Sequence, residues 1–597
     1  MSKPIRLWPG AVLAIAYVVL RFIVPPIFPA AAVVAMFGGL ILALAIVLWW
    51  LFFSRAPWLE RLGTIAFMAA AVFITMRVVD ISIRTGMMGF MLPVYSLPAL
   101  ALALVIGVAV SRGRSDTFRR ASIAVAILIA CAVFTLLRTE GIKGGGAQLT
   151  WRWTPTAEER LLAQAPDLPV VPPPPSPAVP PPTTAAVPLA EKKTDAVTPL
   201  APDPPVAVTT REVKWSGFRG PNRSGVVHRV HIGTDWITSP PRELWRKPIG
   251  PGWSSFAVAG DFVYTQEQRG EDEIVACYRM KDGSPAWRHR DRARFWESNA
   301  GAGPRGTPTI HNDRVYAFGA TGILNVLDAA TGARVWSRNV AAELKKEIPT
   351  WGFSSSPLVI GDLVIVAASG QLAAFEISGG QPRWTGPRLK GSYSSPHRVT
   401  IDGVPQVVLL TSDGATSVAP ADGKVLWQHA WGDATPIVQP TVLDNGDILI
   451  SAMAMTSGLG IRRLSVRRGA ANDWIVEEKW TSTGLKPYFN DYVVHEGHAY
   501  GFDGNILSSI DLADGKRKWK GGRYGEGQLV LLAEQDLLLV VSEDGDIALV
   551  RATPDGYAEV AKMPAIEGKT WNHPVVVGDV LLIRNGEEMA AFRLPRS

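Results

Sequence analysis

The sequence predicts an N-terminal all-α transmembrane bundle of five helices followed by an all-β propeller of eight blades, with seven as the fallback count. Three observations predict it. Residues 8–137 are largely apolar runs, residues 164–210 are dense in Pro, Ala and Val, and a strand–turn–Trp unit recurs from residue 215 to the end. A chain of 597 residues is also too long for one compact domain. The expected divisions are a transmembrane domain at 1–140, an interfacial segment at 141–163, a Pro-rich linker at 164–212 and a propeller at 213–597.

Five apolar stretches, 10–29, 31–53, 62–83, 87–110 and 120–138, meet the roughly 20 helical residues that a bilayer requires. Pro25, Pro26 and Pro29 read as a tight turn between the first two. A second span follows at once without a small-residue cleavage site, so the start is not read as a removable signal peptide. Lys3, Arg6, Arg55, Arg61, Arg112, Arg114, Arg119 and Arg120 flank the spans, with only Glu60 and Asp116 as nearby acids. This bias places the N-terminus in the cytoplasm of an inner membrane. Five crossings then put everything after about residue 139 in the periplasm, with Trp151 and Trp153 at the interface. The formal charge of +7 is mostly topogenic, which argues against nucleic acid as a partner. Arg77, Asp80 and Arg84, at i, i+3 and i+7, read either as a polar quinone-headgroup site on one helix face or as a snorkelling ion pair.

The two cysteines, Cys131 in an apolar run and Cys277 in a strand, give no disulfide framework and no metal motif. The prolines of 172–175 and 180–182 belong to a segment that cannot bury enough apolar surface to fold, and it reads as an extended spacer.

The repeat has two halves. One is a strand, a Gly- or Asp-containing turn and a Trp, as in LNVLDAATGARVWSRNV (324–340) and SSIDLADGKRKWKGG (508–522). The other is a strand, a turn such as HND, IGD or VGD, and a second strand, as in SPLVIGDLVIVAAS. Together they make units of four short strands, the pattern of a propeller. Trp245, Trp287, Trp336, Trp384, Trp427, Trp480 and Trp519 mark seven strand ends, and each ring is expected to fill space between blades. A unit at 529–561 lacks its Trp. The final unit, 571–594, lacks its last strand, which the segment around Trp245 would supply to close the ring.

The ATGARVW and ADGKRKW repeats resemble the tryptophan-docking, PQQ-like repeats of quinoprotein dehydrogenases, a propeller that also occurs in a non-catalytic outer-membrane assembly lipoprotein. The resemblance covers nearly all of 215–597. FRGPNRSG (218–225) and the run from WKGGRYGEGQ (519–528) to EGKTWNHP (567–574) are similar to a PQQ-binding-like subgroup. The five-span layout is similar in plan to membrane-bound glucose dehydrogenases. The resemblance implies the fold; for function it leaves both catalysis with PQQ and calcium and a non-catalytic role open.

Residues just before the first strand of each blade should ring the channel mouth. Ser255, Arg305, Trp351, Ser355, Tyr393, Ser395, Gln439, Asn490, Asp491, Gln528, Trp571, Asn572 and His573 hold those places. Arg305 would pair a carboxylate, Trp351 or Trp571 would stack a ring, Asn490 and Asp491 would offer oxygens to Ca²⁺, and Asp491 is the candidate base. The alternative is that these groups satisfy strand ends around a water-filled channel. Three functions follow, the third being a sensor whose membrane helices respond to occupancy of the propeller. The first is a membrane-anchored periplasmic propeller that binds a protein partner or small ligand at its channel face. The second is a PQQ-dependent dehydrogenase that passes electrons from a sugar or alcohol to membrane quinone. An adjacent Cys pair and long inter-blade insertions are missing from the sequence, and both count against the second.

Overall fold

The computed structural model describes residues 5–28, 32–143, 146–164, 211–432, 435–453, 458–471 and 473–597. The expected linker (164–212, but for its edges) and Pro29 lie outside the described residues. The chain forms two compact units, one of Met1–Gln164 with Phe295–Ala302 and one of the remainder.

Among the described residues of the first unit, four helices are long and apolar enough to cross a membrane: Val34–Phe53, Trp58–Val78, Met91–Val110 and Asp116–Thr135. The first apolar run makes a shorter helix, Trp8–Ile23, so one of the five expected spans falls short. Pro25 and Pro26 do not form the expected turn. They sit in the first turn of a short helix, Val24–Ile27, where a missing N–H costs no internal bond. Glu60, buried in the first turn of Trp58–Val78, accepts two bonds from Arg119, at 2.7 and 2.8 Å. This fork ties two of the basic loops together.

Arg77, Asp80 and Arg84 do not share a helix face. Val79 is extended (ψ 157°) and ends the helix; Asp80 then caps a separate helix, Ile81–Thr85, by accepting from the Ser82 amide at 2.9 Å. Arg77 instead lies over the Phe73 ring. The expected interfacial segment contains an antiparallel hairpin, Leu137–Lys143 with Gly146–Trp151, and a helix, Ala157–Gln164. That helix starts with a reciprocal capping box: the Glu159 amide donates to Thr156 Oγ1, and the Thr156 amide donates to the Glu159 carboxylate.

The second unit is an eight-bladed propeller. Blades 1 to 7 run through residues 257–291, 309–339, 358–385, 397–430, 441–482, 493–523 and 528–564, each an antiparallel four-stranded meander. Blade 8 takes three strands from the C-terminus, Val575–Val577, Val580–Arg584 and Glu588–Arg593. Its outer strand is Arg242–Pro248, with Trp245 opposite Ala591. The ring therefore closes by the expected non-local pairing.

The tryptophans explain the repeat. In each of the seven Trp-bearing blades the register slips immediately before the Trp, as where Val326 faces Trp336 but Leu327 faces Arg334. Such bulges sharpen the local twist and re-aim a side chain. Here the side chain reaches the next blade. The indole N–H groups of Trp245, Trp287, Trp336, Trp384, Trp480 and Trp519 each donate to a backbone carbonyl there, at 2.7–3.1 Å. The first five rings lie on Gly283, Gly332, Gly380, Gly423 and Gly515, each at φ of +67° to +73°. A Cβ on any of these glycines would meet indole carbon at 2.4–2.8 Å. The glycine of the TG and DG turns thus serves both the turn and the neighbouring indole. Trp427 differs, donating to Gln406 of its own blade at 2.7 Å.

Two further short strands lie inside the ring. Val213–Trp215 pairs with the first strand of blade 1, and Val226–Val227 runs parallel to the first strand of blade 7. The FRGPNRSG segment between them crosses the channel.

Candidate functional site

The channel crossing is held by two arginines. Arg219 and Arg223 both take left-handed backbone, at φ +59° and +54°, in a run rich in Gly. Arg219 donates to the carbonyls of Tyr492 and Ser224 and pairs with Asp491 at 3.1 Å, both side chains being 1% exposed. Asp491 also meets His573 Nε2 at 2.8 Å, and Phe218 packs edge-on against the His573 ring. Arg223 donates to the carbonyls of Ser356, Pro357 and Pro396, while its own carbonyl accepts from Gln439. One short segment therefore plugs the ring and touches blades 3 to 6.

Above the plug, most of the polar residues predicted to face a ligand instead join neighbouring blades. The Ser255 amide donates to Thr307, and its hydroxyl donates to the His573 carbonyl. The Thr307 amide donates to Ser356, and the Ser356 amide to Ser395. Gln528 accepts from the Asp491 amide and donates to the carbonyls of Phe489 and Trp571. Asn572 donates to Gly252 and Ser254. Ser355 accepts from Ala367 within blade 3, and Asn490 from the Tyr488 amide. Neighbouring blades thereby supply much of the hydrogen bonding at the strand entries, while Gln439 Oε1, Asn490 Nδ2 and Asn572 Oδ1 have no hydrogen-bond partner among the described residues.

At the mouth itself the structure brings six aromatics into a continuous arc. Trp253 meets Trp571 at 4.9 Å, Trp571 meets Phe489 at 4.7 Å and Phe489 meets Tyr488 at 5.0 Å. Tyr488 meets Trp351 at 6.3 Å and Trp351 meets Tyr393 at 4.9 Å. All six are half-buried. Lys569 lies over Trp571 at 4.5 Å, the Trp571 N–H donates to Glu543, and Arg305 donates to the Trp351 carbonyl. Of the arc, sequence reasoning named Trp351, Tyr393 and Trp571 and missed Trp253, Tyr488 and Phe489. It also missed Arg219 and Arg223, although FRGPNRSG stood out as a motif.

The residues expected to hold calcium and PQQ have protein neighbours in this geometry. One oxygen of Asp491 faces Arg219 and the other faces His573, and the Asn490 oxygen already accepts from the Tyr488 amide. The rings of Trp351 and Trp571 pack on their aromatic neighbours, and the plug occupies the channel below them.

Two acids at this end of the propeller are raised towards neutral pH. Burial beside Glu543 pushes Glu526 up to about 7, and burial pushes Glu273 up to about 7 despite its bond from the Ala320 amide. A raised carboxylate keeps its proton in the fold while the unfolded chain ionises near its ordinary 4.5. Its stabilising effect is therefore full below that value and lost as pH rises to about 7. Glu526→Gln is expected to raise the melting temperature at pH 8 and to leave it nearly unchanged at pH 4.5, as followed by tryptophan fluorescence.

The bulge-aimed tryptophan recurs in seven blades of a closed eight-bladed ring, the feature the resemblance to PQQ-like repeats rested on. Residues 288–521 match the family model described as "Outer membrane protein assembly factor BamB". The BamB of Burkholderia pseudomallei is 22% identical over 47% of this chain and 84% of its own length. The BamB of Yersinia pestis is 24% identical over 52% of this chain and 70% of its own. A quinohemoprotein alcohol dehydrogenase from Pseudomonas putida has a TM-score of 0.48 at 12% identity, covering 64% of this chain and 80% of its own.

Proposed function

We propose that this protein is a membrane-anchored binding and scaffolding propeller that engages a polypeptide partner through the aromatic arc at its channel mouth. The arc of Trp253, Trp571, Phe489, Tyr488, Trp351 and Tyr393 carries the reading. Half-buried Trp and Tyr supply large, rigid contact area with little conformational entropy to lose, the usual composition of binding hot spots. The plug leaves the mouth as a surface to dock on rather than a passage. The matched relatives are named for the assembly of other proteins, which agrees with a protein partner. The bias of basic residues in the loops supports a periplasmic propeller anchored in an inner membrane.

The test is site-specific photo-crosslinking in cells. A photoreactive residue at Tyr488 or Trp253 is expected to trap a discrete adduct, and the same label at Val335, exposed on an outer strand of blade 2, is not. Equal adducts from all positions, or none, would overturn the proposal. The competing reading, oxidation of a sugar or alcohol with PQQ and electron transfer to quinone, requires the full chain to retain PQQ through desalting after incubation with Ca²⁺.

A further inference from the structure

On the far side of the plug from the aromatic arc lies a cavity of about 840 Å³. Its floor is the plug itself, Pro221 to Ser224, and its walls are the first strands of blades 2 to 5. Three features give it a chemical character. First, Arg223 is 8% exposed, and its guanidinium has only backbone carbonyls as acceptors. Among the described residues no carboxylate pairs with it, and burial depresses it to about 10. Arg219, earlier in the same segment, has Asp491 as its counter-ion. A buried cation is costly without a compensating anion.

Second, the wall adds Arg398 and His311, while Asp444 is the one acid among the lining residues. Third, buried His397 lines the same cavity with Nδ1 unpaired among the described residues. Burial next to Arg223 and Arg219 holds this ring neutral, pushed down to about 3, so at neutral pH it exchanges hydrogen bonds without adding charge. Thr309, Thr400, Thr441 and Asn222 complete a hydroxyl- and amide-rich lining.

We infer that this cavity is a binding site for a small, hydroxylated organic anion, whose carboxylate or phosphate is held by Arg223 and Arg398. The volume suits a ligand of metabolite size, within the range of ordinary small-molecule pockets. The site is separate from the aromatic arc and does not depend on the function proposed for it. Because the plug forms the floor, bound anion would also secure Arg223 and, through it, blades 3 to 5.

The test is calorimetric titration of the full chain in detergent with three probes: citrate, glucose 6-phosphate and neutral glucose. Saturable binding of citrate or glucose 6-phosphate, but not glucose, is expected, and the better of the two identifies the anionic group. Arg398→Gln, a change at an exposed side chain, is expected to weaken that binding at least tenfold while leaving the melting temperature of the unliganded protein unchanged. His311→Gln should weaken it to a smaller degree. Absence of saturable binding by both anions, equal binding of glucose, or unaltered affinity in Arg398→Gln would overturn the assignment.

Discussion

Asp491→Ala is expected to destabilise the propeller by about 3–5 kcal/mol, the cost of leaving a buried guanidinium without its partner. Both members of the pair are 1% exposed, so solvent cannot take over the role of the carboxylate. The loss should also free His573, whose Nε2 has Asp491 at 2.8 Å. Denaturant unfolding followed by tryptophan fluorescence measures the change. The diagnostic comparison is a double-mutant cycle with Arg219→Met. If the ion pair holds the plug, the double variant will be more stable than Asp491→Ala alone, because the orphaned charge has gone. Strictly additive losses would mean that each side chain acts by packing.

Trp384→Ala is expected to cost a comparable amount, about 3–5 kcal/mol for a buried Trp emptied to Ala. The indole lies on Gly423 and donates to the Pro420 carbonyl at 2.8 Å, so its removal opens the seam between blades 3 and 4. Gly423→Ala attacks the same seam from the other side. Its Cβ would stand 2.4 Å from the indole, at a φ of +71° that an alanine tolerates poorly. Trp427→Ala should be milder, because that indole is bonded to Gln406 within its own blade. Thermal melts of the three variants rank the seams; equal losses at Trp384 and Trp427 would contradict the docking account.

What could be read from the sequence was the part governed by local repetition. A Trp shortly after a strand, preceded by TG, DG or GG, signals a blade because bulge, turn and docking surface all lie within one repeat. Closure by the Trp245 strand was legible for a related reason: a final unit short of one strand and an early strand without a unit complete each other. The plug was not legible. FRGPNRSG has no periodicity, and its two arginines acquire meaning only from carbonyls and a carboxylate more than 130 positions away. The polar residues at the strand entries are visible along the chain, but their neighbours are not. Ser255 or Gln528 in isolation looks like a ligand-facing group, and only the ring geometry shows that the next blade satisfies it. The aromatic arc draws on five separate blades or their entries, so no window of sequence contains it.

Blade 8 has a consequence for the order in which the propeller can be completed. Arg246 and its partner Glu588 lie 342 positions apart. At the roughly 5–20 residues per second of protein synthesis, the strand Arg242–Pro248 waits on the order of 20–70 s for the strand it will pair with. Throughout that interval it is an open edge, the kind of surface that recruits wrong strands. Its sequence, RELWRKP, carries Arg242, Glu243, Arg246 and Lys247 and ends on a proline, which cannot donate to a ladder. The segment that has to wait longest during biosynthesis is thus also the one whose charges discourage premature partners.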